Sequence, residues 1–190
     1  MVDQISVAGQ DELEGALRTG RTPVCIDRGA LSVGGDAVVW ARGSAHVHAG
    51  GRCEVVARES AEIDAAESAT VAASDTVHVV ARDAAHVIAF RQARVEAHGD
   101  ARIEAYGRTV VDAHDRAVVA ASDSVRLVAD GRCEIEAFGS AEVRAFGSVH
   151  VHARGKARVE AHEAAVVDAG PDVLVDDRGP STRITRIRGG

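Results

Sequence analysis

The chain has 190 residues, of which 46% are hydrophobic but only 3% aromatic, and its formal net charge is −7. One domain, or one repeat array, accounts for that length. An apolar complement made mostly of Ala and Val excludes a thick aromatic core, and the acidic balance argues against general nucleic-acid binding, which rewards a basic face.

Met1-Val2-Asp3-Gln4 lacks the basic start and long apolar run of a signal peptide or membrane span, so no membrane partner and cytoplasmic residence are the expectations. Ile5-Ser6-Val7 reads as a short strand, Asp11 to Arg18 as a small amphipathic helix and Pro23 to Asp27 as a second strand, entering the coils. Residues 1–36 are therefore expected to form a small α/β cap on whatever follows. Cys25, Cys53 and Cys133 are odd in number and far apart, which fits a reducing compartment and not a disulfide scaffold. Cys53 and Cys133 stand where other repeats have Ala, the place of a small buried thiol.

From residue 37 to residue 176 an eight-residue unit recurs without gain or loss of a residue. Its centre is a branched aliphatic residue at every eighth position, from Val39, Val47 and Val55 through Ile103, Val111 and Val119 to Val159, Val167 and Val175. Two positions later stands Ala, from Ala41 to Ala169, and two positions earlier a small residue such as Ala45, Cys53, Thr109 or Val149. Alternation over five residues is the signature of a strand with one face buried. The three residues between strands, as in Phe138-Gly139-Ser140, have the chemistry of a turn.

Octads of this kind close either as a two-sided coil of sixteen residues or as a triangle of twenty-four. Facing sheets stand about 10 Å apart, a gap that opposed Val and Ala fill. A triangle would leave a central void out of their reach, and voids are costly. Charge columns agree in part: sixteen-residue spacing stacks Arg126, Glu142 and Arg158, and Arg144 on Glu160, although it also sets Glu96 beside Asp112 and Glu160 beside Asp176. The expected fold is all-β, a parallel β-solenoid of flattened sixteen-residue coils, nine in number and about 43 Å long. Residues 177–190 leave the repeat at Asp177-Arg178-Gly179-Pro180 and form a basic tail with Arg183, Arg186 and Arg188, either a last capping strand or a docking tail.

The repeat, as in Ala93-Arg94-Val95-Glu96-Ala97-His98-Gly99-Asp100, resembles the Ala-Val octapeptide repeats of bacterial and phage solenoid proteins. The resemblance spans about three quarters of the chain and implies a fold but no activity. The opening strand, helix and strand resemble the first segment of right-handed parallel β-helix proteins.

P-loop, dinucleotide-binding, nucleophile-elbow and zincin signatures are missing, and no corner carries an insertion, so no catalytic residue is expected. Two outward features remain. His46 and His48 share one face of a strand, with Glu62 and Asp64 one rung away; His150 and His152 repeat the arrangement, with Glu134 and Glu136 one rung away. Such His and carboxylate sets suit Zn²⁺ or another divalent ion, or equally plain cross-rung ion pairs. Val38, Trp40, Val56, Ala72 and Ile88 share one face near the N-terminal end, an apolar strip suited to a protein partner or to an overlying segment of the chain. His98, His114 and His162 occupy a corner position that elsewhere holds Phe90, Tyr106, Phe138 and Phe146, and are expected to stack along an edge. The leading expectation is a non-enzymatic scaffold or interaction solenoid without a cofactor, self-associating end to end or through the Trp40 face. The alternatives are a surface metal binder or metal-dependent enzyme, and a structural component of a phage particle or cell envelope.

Overall fold

In the computed structural model, which describes residues 5–19 and 24–187, the chain folds as a parallel β-solenoid with one short helix. Strand β1 (Ile5–Val7), helix α1 (Gln10–Arg18) and the long strands β2 (Val24–Val33) and β3 (Val38–Ala49) come first. From β4 (Glu54–Ala57) to β18 (Val166–Ala169) every octad contributes one four-residue strand. β19 (Leu174–Asp177) and β20 (Arg183–Arg186) end the array.

Each repeat strand pairs in parallel with the strands two before and two after it, sixteen residues away. Ile103, for example, pairs with Val119, and Ala105 with Ala121. Successive octads therefore belong to opposite sheets, as two-sided coiling requires. One sheet holds β1, the first halves of β2 and β3, β4 and the even-numbered strands to β20. The other holds the second halves of β2 and β3 and the odd-numbered strands from β5 (Glu62–Ala65) to β19. The solenoid makes about 11 turns, roughly 50 Å at the spacing of hydrogen-bonded strands. That exceeds the nine coils expected because strands outside the strict repeat add rungs at both ends.

The small, Val and Ala rows point inward and are buried along the whole array, from Val39, Ala41 and Ala45 to Val167 and Ala169. Thr109 is a buried polar residue of this core, and its Oγ1 donates to the Tyr106 carbonyl at 2.7 Å, so no hydrogen-bonding group is stranded.

The corners explain why Gly and acids alternate in the middle turn position. That residue is left-handed at every corner from Gly43 to Glu163, Arg91 included, with φ of +73° at Gly107, +65° at Asp123 and +63° at Glu59. Gly adopts this conformation freely, and Asp at modest cost. A Cβ there points at the corner of the preceding rung: one placed on Gly139 would lie 3.1 Å from the Asp123 nitrogen. An acidic side chain consequently reaches back to an N–H that the ladder leaves free. Asp123 Oδ2 accepts from the Gly107 N–H at 3.1 Å, Glu67 from Gly51 at 2.8 Å and Glu163 from Gly147 at 2.9 Å.

The two ends differ. At the N-terminal end β1 pairs with β2 (Val7 with Ile26), and α1 lies against both, burying Leu13 and Ala16. Asp11 and Glu12 in its first turn and Arg18 in its last suit the helix dipole. β2 runs beneath β3 in solenoid register, with one irregularity between Ile26 and Arg28, so pairing of the coils begins at Val24. At the other end β20 pairs with β18 (Val166 with Arg183) after a corner one residue longer than the rest, through Gly179 and Pro180. Arg183 and Arg186 thus belong to a strand, while Arg188 lies outside the described residues.

Candidate functional site

Each repeat strand shows solvent two side chains, one on either side of its buried aliphatic residue, so the surface is a grid of columns spaced by rungs. Alternate residues of a strand lean toward one another, and the next rung stands about 4.8 Å away. Two points of this grid gather three metal-ligating side chains each.

In the first, His46 and His48 on β3 flank Val47, and their ring centroids are 4.5 Å apart. Asp64 on β5 pairs in register with His48. Its Oδ2 lies 3.0 Å from His46 Nε2 and 3.0 Å from His48 Nδ1. Glu62 stays outside this triangle, its nearest oxygen 3.9 Å from His46 Nδ1. In the second, His150 and His152 on β16 (His150–Ala153) have ring centroids 4.2 Å apart. Asp168 on β18 places Oδ2 at 2.9 Å from His150 Nε2 and 3.2 Å from His152 Nδ1. The ligating atoms of each trio lie within 4.8 Å of one another.

Glu134 and Glu136 on β14 (Glu134–Ala137) do pair in register with His150 and His152, but on the rung before. Among the described residues, the ion pairs of both histidines go to Asp168 on the rung after. The His150 pair runs along a diagonal, from the leading outward position of one rung to the trailing position of the next, so its carboxylate stands eighteen residues beyond the first His. The same diagonal recurs where there is only one histidine: His78 Nε2 lies 3.3 Å from Glu96 Oε1, and His86 Nε2 3.3 Å from Glu104 Oε1. Asp168 was findable in the sequence by applying to His150 the forward step that joins His46 to Asp64.

Comparison with protein-family models, curated proteins and solved structures returned no match. The geometry alone speaks for the site.

The apolar strip is a single column: Trp40, Val56, Ala72 and Ile88 pair in register on successive rungs, all half-buried, with Val38 beside Trp40. Glu104 follows on the next rung and closes it. The corner rings stack along the edges, Phe90 on Tyr106 at 5.3 Å, His98 on His114 at 4.9 Å and Phe146 on His162 at 4.5 Å between centroids. The Tyr106 hydroxyl donates to Glu104 Oε2 at 3.1 Å, a bond to a carboxylate that raises the phenol's pKa.

Like-charged neighbours are relieved by nearby partners. Glu160, beside Asp176, also meets Arg144 at 3.1 Å, His162 at 3.2 Å and Arg178 at 3.3 Å. Glu96, beside Asp112, meets His78. Pairs at a solvent-facing surface contribute little to stability. All three cysteines are buried and free, and burial raises the pKa of each, that of Cys133 to about 11. A nucleophile needs the thiolate, so these are packing groups.

Proposed function

We propose that this chain is a non-enzymatic structural solenoid that associates end to end with a second copy through its C-terminal rungs. The observation that carries the reading is the asymmetry of the ends. Helix α1 covers the N-terminal rung. At the far end, among the described residues, β19 pairs only with β17 (Arg158–Ala161) and β20 only with β18, so one edge of each strand has no partner.

Such an edge is a template for another chain, and here it is also apolar. Leu174 is 60% exposed, Ile184 and Ile187 are each 39% exposed, and Val175 is half-buried. Charge selects a second copy as the occupant. β19 carries Asp176 and Asp177, while β20 carries Arg183 and Arg186. A two-fold axis laying β20 of one copy on β19 of the other sets opposite charges against each other twice, an isologous contact that closes at a dimer. Three buried thiols support residence in a reducing compartment such as the cytoplasm. Among the described residues no helix is long and apolar enough to cross a membrane.

Light scattering coupled to size exclusion tests the proposal. Wild type is expected at twice the 19.7 kDa chain mass, and Leu174→Asp with Ile184→Asp at the chain mass, with an unchanged sheet spectrum. Trp40→Asp is expected to remain a dimer. A monomeric wild type refutes the proposal, and dissociation by Trp40→Asp alone transfers the contact to the apolar column.

A further inference from the structure

We infer that His46, His48 and Asp64, and likewise His150, His152 and Asp168, are two equivalent binding sites for a divalent transition-metal ion of the zinc type. The inference is independent of the end-to-end contact, since neither site includes a residue of β19 or β20.

Placement is the first argument. Outward histidines occupy the leading strand position four times, at His46, His78, His86 and His150, and each has a carboxylate on the forward diagonal. The trailing outward position holds His only at His48 and His152, in the same two strands where the leading one is already His. In those two strands alone the diagonal carboxylate is Asp, whereas His78 and His86 face Glu. A single His–carboxylate pair suffices for a surface ion pair. The second imidazole and the shorter acid coincide twice, which ion pairing does not require.

Geometry is the second. Two ligands of a tetrahedral zinc, each about 2.0–2.1 Å from the ion, stand roughly 3.3 Å apart. The four His–Asp separations are 3.0, 3.0, 2.9 and 3.2 Å, so small rotations of the side chains admit an ion at the centre of each trio. Both imidazoles address the same carboxylate oxygen. Without an ion each must present an N–H to it; with one, the cation takes the place of the two protons. The exposed histidines, with side-chain exposures of 51% for His48 and 46% for His152, leave the fourth position to water. Two imidazoles and one carboxylate favour Zn²⁺, Ni²⁺ or Cu²⁺ over Ca²⁺ or Mg²⁺, which take oxygen ligands.

The test uses the full chain, stripped of metal by a chelator and titrated calorimetrically with Zn²⁺ alone. Wild type is expected to bind two ions per chain, His48→Ala and His152→Ala one each, and the double variant none. His78→Ala, which breaks a His–Glu diagonal but neither trio, is expected to keep two, and Ca²⁺ to give no saturable heat. These side chains face solvent, so a circular dichroism spectrum matching wild type verifies the fold of every variant. Fewer than two ions on wild type, retention of two by the double variant, or loss of one by His78→Ala overturns the inference.

Discussion

Replacing Asp123, in the middle of the array, isolates the two things an acidic corner residue does. It holds a left-handed backbone, φ +65°, and its carboxylate accepts from the Gly107 N–H at 3.1 Å on the rung before. Asp123→Ala forfeits a bond worth about 1 kcal/mol at an exposed position and leaves a residue for which the left-handed region costs about 1 kcal/mol or more. The expected loss is therefore about 2 kcal/mol. Asp123→Gly forfeits the same bond but removes the backbone cost, less the greater freedom of Gly in the unfolded chain, so about 1 kcal/mol is expected. Asp123→Asn keeps an acceptor and tolerates the conformation, and is expected to lose less than either. Urea unfolding followed by the sheet signal ranks the three through their midpoints, provided the slopes agree. A glycine variant less stable than the alanine one, or an asparagine variant as weak as alanine, would refute this account of the corners.

The core predicts asymmetric tolerance. Val119→Ala empties volume between the sheets at a fully buried position and is expected to cost about 2 kcal/mol, and Ala121→Leu, which overfills the same rung, about 1–3 kcal/mol; denaturant midpoints read both. For Cys133, burial keeps the thiol protonated in the folded chain up to about pH 11, against an ordinary value of 9.0. The unfolded state therefore sheds its proton first, and the stability this group contributes is complete below pH 9 and lost as pH rises toward 11. Cys133→Ala, the residue that most octads carry there, should flatten the alkaline fall, and a slope unchanged by the substitution would refute that assignment.

Much of this was legible because the repeat is strict. The rows through Val39, Val47 and Val55, and through Ala41, Ala49 and Ala57, define a strand per octad, and the volume of Ala and Val selects two facing sheets. Legibility failed where counting failed. β2 does enter the coils, as the strand expected at Pro23 to Asp27 should, but the irregularity between Ile26 and Arg28 leaves Val24 to Ile26 one residue out of step with the octads, and periodicity did not show that the strand runs on in register to Val33. β20 was ambiguous for the converse reason, an extra residue in the corner at Gly179 and Pro180. Asp168 went unnoticed because in-register pairing treats the rungs on either side of His150 alike. The folded chain favours the rung after, and the hint of it in the sequence is the step from His46 to Asp64, repeated at His150. The corner acids posed a similar difficulty: composition marks Asp123 as a turn former, but its bond to Gly107 depends on where a left-handed Cβ points.

The alternation of octads between two sheets constrains how such a chain can change its length. Adding a pair of octads inserts one complete coil and returns every later residue to its own column, whereas adding a single octad carries everything beyond it to the reverse side of the ribbon. The two His–Asp trios are separated by an odd number of octads and accordingly look out in opposite directions. Duplication in twos preserves which way a surface feature faces, and a lone duplication turns it around without disturbing the interior.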